Sequence, residues 1–205
     1  MTRNPTLLIA TSNEGKLREA TSLLEDLSVT LVTLADFPGL PGVIEDGRTF
    51  AENARKKAEH YARFTGSLTL ADDSGLEVDA LGGAPGVHSA RFAGIPGDDA
   101  ANNAKLLAAL NGVPPQRRSA RFRCVIALAD SERVIAIARG SIEGVILDQP
   151  RGQNGFGYDP FFYVPELGLT AAEMPPELKN RVSHRGRAIT EIRPHVKNAL
   201  KPGTR

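Results

Sequence analysis

The sequence predicts an α/β fold, because buried-strand segments and amphipathic helices follow one another along the chain. Thr6-Leu-Leu-Ile-Ala-Thr11 is a continuous apolar run without period-2 alternation, the pattern of a strand covered on both faces. Directly after it, Leu17, Ala20, Leu24 and Leu27 recur at helical spacing, so a strand feeds a helix. Ala120–Ala129 and Val134–Ile146 read as an antiparallel pair turning at Asp130-Ser131-Glu132. The sheet is therefore expected to be mixed.

The remaining elements follow in chain order. Thr11 and Glu14 are spaced as a capping box for the first helix. Val29–Leu34 is a short strand, followed by a Pro/Gly-rich loop from Phe37 to Gly47. A second capping box, Thr49 with Glu52, opens a helix of about fifteen residues that turns Phe50, Ala54, Ala58 and Tyr61 inward. Ser67–Ala71 reads as another buried strand, ending at Asp72-Asp73-Ser74-Gly75. Gly82–Gly97 holds five Gly and two Pro and reads as loop. Asp98–Leu110 is helical, with Asn111-Gly112 as its stop. Gly152–Pro160 is a glycine loop and Phe161–Val164 a short strand. Helical sequence from about Ala171 is expected to be interrupted at Pro175-Pro176 and at Pro194. No repeat or linker divides the 205 residues, so one domain is expected, with a core over about residues 6–200.

Composition excludes several function classes. With 25 Lys and Arg against 24 Asp and Glu, no global field draws the chain to nucleic acid or to an anionic membrane. The single cysteine, Cys124, cannot form an intramolecular disulfide, which points to a reducing, cytoplasmic setting. The apolar run Leu7–Ala10 is too short for a signal-peptide core, and Cys124–Ala129 falls far short of the roughly 20 residues that span a bilayer.

Charge is nevertheless segregated. Lys179–Arg205 carries eight Lys and Arg against the single acid Glu191, whereas Glu45–Asp79 carries eight acids against five bases. An acidic metal-holding strip with a basic phosphate-holding strip is what a nucleoside triphosphate site needs, although a basic helical end is also ordinary solvated surface. Thr11-Ser12-Asn13-Glu14-Gly15-Lys16 joins a strand to a helix N-terminus, where backbone N–H groups and the dipole favour an anion. A capped turn without ligand is the alternative. It is not a Walker A loop, since Ala10 and Leu17 stand where Gly and Ser/Thr are required.

Alternation on a strand sends Asp72 and Asp73 to opposite faces, so only one need reach a ligand while the other can bond backbone amides of the turn; a solvated turn with two surface aspartates is the alternative. Glu45 and Asp46, with Asp73, can hold Mg²⁺, or they can simply complement a helix dipole. Lys56 and Lys57 have a solvated helix face as their plain reading. Phe156 and Tyr158 among glycines can sandwich a base or plug the core. No Cys/His metal spacing, G-x-S-x-G elbow or strand-borne G-x-G-x-x-G is present, and Cys124 reads as an inert core thiol.

Seven segments in order carry a family resemblance: Thr11–Lys16, Thr49-Phe-Ala-Glu-Asn-Ala54, Ala71-Asp-Asp-Ser-Gly75, Gly82-Gly-Ala-Pro-Gly86, Ser89-Ala-Arg91, Gly155-Phe-Gly-Tyr-Asp159 and Ser183-His-Arg-Gly186. From about residue 6 to 200 the chain resembles the Ham1/RdgB-type nucleoside triphosphate pyrophosphatases, which remove ITP, dITP and XTP. The resemblance implies a two-lobed α/β fold with a long mixed sheet and a cleft, a homodimer, and Mg²⁺-dependent cleavage between the α- and β-phosphates.

Carried onto this sequence, the resemblance has Thr11, Ser12, Asn13, Glu14, Gly15 and Lys16 bind the triphosphate, with Lys57 assisting. Asp73 would hold Mg²⁺ and accept the proton of the attacking water, Glu45 (or Asp46) would assist the metal, and Ser74 would touch substrate. Phe156, Gly157, Tyr158, Asp159, Lys179, His184 and Arg185 would line the base and phosphate pocket, with His184 or Arg185 as a donor to O6 of the purine. The Met1–Pro5 extension and the tail after Leu200 carry nothing the family needs. A nucleotide sensor that does not cleave and a nucleic-acid module using the basic tail are the competing classes; Glu45 with Asp73, and the balanced charge, disfavour them. The septum-formation-type pyrophosphatases are a nearer rival, disfavoured by the Ser183–Gly186 and Phe156–Asp159 segments.

Overall fold

The computed structural model describes residues 5–201. Met1–Asn4 and residues 202–205, which make up most of the two extensions expected to be dispensable, lie outside the described residues. Strands β1 (Thr6–Ile9), β2 (Thr30–Thr33), β3 (Leu68–Val78), β4 (Ser119–Ala129), β5 (Val134–Ile146), β6 (Phe162–Val164) and β7 (Leu169–Thr170) form one sheet in the order β2-β1-β3-β4-β5-β6-β7. Helices α1 (Glu14–Leu24), α2 (Phe50–Thr65), α3 (Asp99–Ala109), α4 (Pro176–Val182) and α5 (His184–Ala199) flank it. The sheet is mixed, as expected: β1 runs parallel to β2 and β3, and β6 runs antiparallel to β5 and β7. Among the described residues no helix is long and apolar enough to cross a membrane.

The chain divides into two compact units. The first comprises the chain up to Asp73, Cys124–Gly140 and the chain from Arg185 onward. Its core is built on Leu7, Ile9, Leu24, Leu70, Ile126, Leu128, Ile189 and Ile192. The second comprises Ser74–Arg123 and Ser141–His184, around Leu76, Val78, Leu106, Phe122, Ile146 and Phe162. Strands β3, β4 and β5 each contribute residues to both units.

Local signals fixed several elements closely. β5 spans the run Val134–Ile146, and α2 starts at Phe50 behind a capping box in which the Glu52 N–H donates to Thr49 Oγ1 (3.2 Å) and the Thr49 N–H to Glu52 Oε2 (3.2 Å). Other expectations are corrected. The cap of α1 is Asn13, whose Oδ1 accepts the Lys16 N–H (2.9 Å), not Thr11, so Glu14 is the first helical residue rather than half of a capping box. Pro194 lies inside α5 without ending it. Ile189, Ile192 and Val196 are buried before and after it, and that burial outweighs the roughly 3 kcal/mol a helical proline costs. The two-residue β7 has too little pattern to be seen in sequence.

The largest correction concerns β3. It does not end at Asp72 but continues through Asp72-Asp73-Ser74-Gly75 to Val78. Gly75, which reads as a turn glycine, is required by close approach: a Cβ there would lie 2.4 Å from Ser89 Oγ and 2.5 Å from the Gly86 carbonyl oxygen. That contact is cemented by the Leu76 N–H donating to Ser89 Oγ (2.9 Å) and by Ser89 Oγ–H donating to the Gly86 carbonyl (2.6 Å). The observed packing predicts that Gly75→Ala costs about 1–3 kcal/mol in urea denaturation.

Candidate active site

The parallel β1 pairs with β3 only from Leu68 to Leu70, and the Ala10 N–H still donates to the Leu70 carbonyl (2.8 Å). Beyond that point β3 outruns β1, and there Asp72 and Asp73 project to opposite faces. Both are buried, and burying a carboxylate is costly unless charged or hydrogen-bonding partners compensate. Each face supplies different ones.

On one face, Asp72 Oδ2 lies 3.3 Å from Lys16 Nζ and 3.1 Å from Arg185 Nη2, while Arg185 Nη1 pairs with Glu19. Burial pushes the Asp72 carboxyl up, but Lys16, Arg185 and Lys57 more than offset it and hold it well below the usual range. Arg185 is only 1% exposed and its fork is shared between two carboxylates. The structure thus places Arg185 in an ion cluster under α1 and β3. Cys124 Sγ is 3.9 Å from Asp72 Oδ2, and burial followed by the Asp72 charge pushes its thiol up to about 12, so it is inert as expected.

On the other face, Asn53 Nδ2 donates to Asp73 Oδ2 (3.0 Å) and Lys57 Nζ lies 3.8 Å from Asp73 Oδ1. Lys57 also donates to Glu45 Oε2 (2.8 Å). Desolvation raises the Asp73 pKa; Lys57, Lys16 and Asn53 oppose that without cancelling it, and Glu45 adds to it. Lys57 is buried, which alone would lower its pKa, but Asp73, Asp72 and Glu45 raise it, so it stays an ammonium. Its neighbour Lys56 is exposed and pairs with Asp46. The structure therefore sets Glu45, not Asp46, beside Asp73, and takes Lys57 off the solvated face.

Asn53 is the residue that sequence reasoning passed over. It is 1% exposed, and its Oδ1 accepts the Gly47 N–H (2.8 Å), so one amide fixes both the Asp73 carboxylate and the loop carrying Glu45. Gly47 permits this approach, since a Cβ there would fall 2.5 Å from Asn53 Oδ1. The signal was present: Asn53 and Lys57 share a helical face with Phe50, Ala54 and Tyr61, and polar residues on an apolar face need a reason.

The second unit holds Ser74, Phe156, Gly157, Tyr158, Asp159, Lys179 and His184, and the first holds the remaining predicted residues. Asp159 Oδ2 accepts Lys179 Nζ (2.6 Å) and the Phe156 N–H (2.9 Å), and Lys179 Nζ lies 5.1 Å from the Phe156 ring centroid. Tyr158 is a core plug whose hydroxyl donates to the Ser89 carbonyl (2.8 Å); Phe156 is half-buried. His184 stacks on Phe122 at 4.9 Å. Ser74 follows Asp73 on β3 and is half-buried. At the head of α1, Ser12, Asn13 and Glu14 are exposed, Thr11 is half-buried, and Gly15 is buried.

Among the described residues no group of three or more His, Cys, Asp and Glu side chains gathers as a metal cage. Asp73 and Glu45 nevertheless form a pair of carboxylates that both reach Lys57. That donor set fits Mg²⁺, which takes one or two carboxylates and fills its shell with water and phosphate oxygens.

The two aspartates should respond oppositely to replacement. Asp72→Asn leaves the buried Arg185 and Lys16 short of a counter-charge and should cost about 3 kcal/mol in urea unfolding at neutral pH. The folded pKa of Asp72 lies below the ordinary 3.8, so this stability is present above that value and lost as pH falls through the folded one. The gap between parent and variant should therefore close in acid.

These positions can be set beside known proteins. The Ham1 family matches residues 7–195. The chain is 60% identical over 183 residues to the dITP/XTP pyrophosphatase of Desulforamulus reducens, covering 89% of this chain and 91% of that protein. It is 55% identical to the dITP/XTP pyrophosphatase of Geobacter sulfurreducens, covering 93% and 96%. A solved Ham1 protein from Coxiella burnetii superposes with a TM-score of 0.84 at 44% identity, over 95% of this chain and 99% of that one. With the matched segment spanning both compact units and every motif described above, the chain belongs to the Ham1 family.

Proposed function

We propose that this protein hydrolyses dITP, XTP and ITP to the nucleoside monophosphate and pyrophosphate, working in the cytoplasm as a Mg²⁺-dependent homodimer. The observation that carries the reading is the Glu45–Lys57–Asp73 array, with Asp72 one residue along the same strand and paired with Lys16 of α1. The names of the 60% and 55% identical relatives support the choice of substrate.

In this reaction a water oxygen forms a bond to the α-phosphorus, the bond from that phosphorus to the bridging oxygen breaks, and pyrophosphate leaves. The water proton passes to the Asp73 carboxylate. A raised pKa makes Asp73 a stronger base than an ordinary aspartate, and the Asn53 donor fixes the plane in which it accepts. Lys57 and Lys16 offset charge on the phosphate oxygens, and the exposed N–H groups at the head of α1 add the helix dipole. Asp73 and Glu45 would hold Mg²⁺, which supplies charge neutralisation and a more acidic water.

Base choice follows from hydrogen-bond sense. A 6-keto purine presents an acceptor at O6 and a donor at N1, and adenine reverses both, so a site aimed at one leaves groups unpaired against the other. His184 is assigned as the O6 donor in preference to Arg185, whose guanidinium is held by Asp72 and Glu19. Phe156 is assigned to stack on the base.

Asp73→Asn should lower kcat for ITP by more than about 100-fold while the thermal melt and circular dichroism stay those of the parent. Near-parental turnover would remove Asp73 as the base. A panel of ITP, XTP, dITP, ATP and GTP, assayed by pyrophosphate release, should show turnover confined to the first three and abolished by EDTA. Equal turnover of ATP would overturn the selectivity.

A further inference from the structure

Gly155-Phe-Gly-Tyr-Asp159 carries two glycines in the left-handed region, Gly155 at φ +79° and Gly157 at φ +62°. A Cβ on Gly157 would meet nothing within 4 Å, so it is this backbone conformation, not crowding, that asks for glycine. A loop so built is free to move unless something holds it. Its two aromatic residues are held differently: Tyr158 is locked into the core, whereas Phe156 is half-buried with Lys179 Nζ 5.1 Å from its ring centroid, and its loop backbone helps to set where the ring lies.

That backbone is gripped from α3. Asp99 and Asn103 stand one turn apart, so their side chains project from one helix face. The Gly157 N–H donates to Asp99 Oδ2 (2.7 Å), and Asn103 Nδ2 donates to the Gly157 carbonyl (2.9 Å). Both polar groups of one glycine are thereby taken by one helix, one of them through a charge-assisted bond. The helix is itself moored: Asn102 is buried, accepts the Ala93 N–H (2.7 Å) and donates to the Ala90 carbonyl (3.3 Å), and Lys105 Nζ donates to the Phe92 carbonyl (2.6 Å). On the other side of Phe156, its N–H is fixed by Asp159.

We propose that Asp99 and Asn103 are positioning residues for base selection, clamping Gly157 so that Phe156 presents its ring in one orientation. They act through the loop, by their hydrogen bonds to the two backbone groups of Gly157. The inference rests on the assignment of Phe156 to the purine.

The test compares Phe156→Ala, Asp99→Ala, Asn103→Ser and Asp99→Asn in steady-state assays with ITP and ATP, with hydrogen exchange of the 155–159 segment. Losing one clamp bond should raise KM for ITP about tenfold and lower the ITP-over-ATP ratio of kcat/KM by a similar factor, with kcat for ITP changed less than about threefold. Exchange at Gly157 should quicken. Asp99→Asn keeps an acceptor for the Gly157 N–H and should recover most of the ratio, which general destabilisation would not explain. Should Asp99→Ala fail to fold, Asn103→Ser reads the same clamp from its other side. If Phe156→Ala leaves the ratio unchanged, the base assignment falls and the proposal with it. If Phe156→Ala shifts the ratio while the Asp99 and Asn103 variants do not, the assignment survives and the clamp is overturned.

Discussion

Everything at this site depends on the alternation of side chains along β3. Two adjacent aspartates on an extended strand must face opposite ways, and both are buried here, so each needs its own compensation. Asp72 meets Lys16 and Arg185, and Arg185 meets Glu19, so two carboxylates face two cations. Asp73 shares Lys57 with Glu45, and Lys16 adds a smaller attraction that leaves its burial uncompensated. The same residue type, one position apart, is thereby held below the ordinary carboxylate range on one face and above it on the other. Environment thus sets the two carboxyl groups apart, which is how pKa tuning separates neighbouring titratable groups in general.

Elements set by local pattern were legible in the sequence. The apolar run Val134–Ile146 is β5, and Thr49 with Glu52 starts α2, because strand continuity and helix capping are written within a few residues. What escaped depends on partners far along the chain. Asp72 finds Arg185 across 113 residues, and the extended Asp73-Ser74-Gly75 brings Gly75 against Ser89 and Gly86. No rule of turn propensity contains that contact. The reading of Lys56 and Lys57 as one solvated face failed for a related reason: helical phase separates neighbours by about 100°, and only Lys57 falls in line with Phe50, Ala54 and Tyr61.

The candidate site residues were mostly named by family resemblance, and their geometry adds what resemblance lacked. Glu45 and Asp46 are adjacent and chemically alike, so spacing leaves both open. Lys56 takes Asp46 outward and Lys57 takes Glu45 inward, because the two lysines leave α2 in different directions. Asn53 then ties the Glu45 loop to Asp73 through Gly47. A supporting amide of this kind has no motif of its own. Its trace is only a polar residue standing where an apolar one was expected.

The charge balance also explains why a binding site and a stable core can share one strand. An ion cluster whose charges cancel, such as Asp72 and Glu19 with Lys16 and Arg185, offers a further cation little and resists disruption, since removing one member strands the others in a low-dielectric interior. At Asp73 burial raises the pKa and the Glu45 charge adds to it, so positive charge brought to this pair of carboxylates favours the ionised form. The covalent strand holds the two clusters next to each other, so the ion pairs of Asp72 with Lys16 and Arg185 fix the backbone from which Asp73 projects.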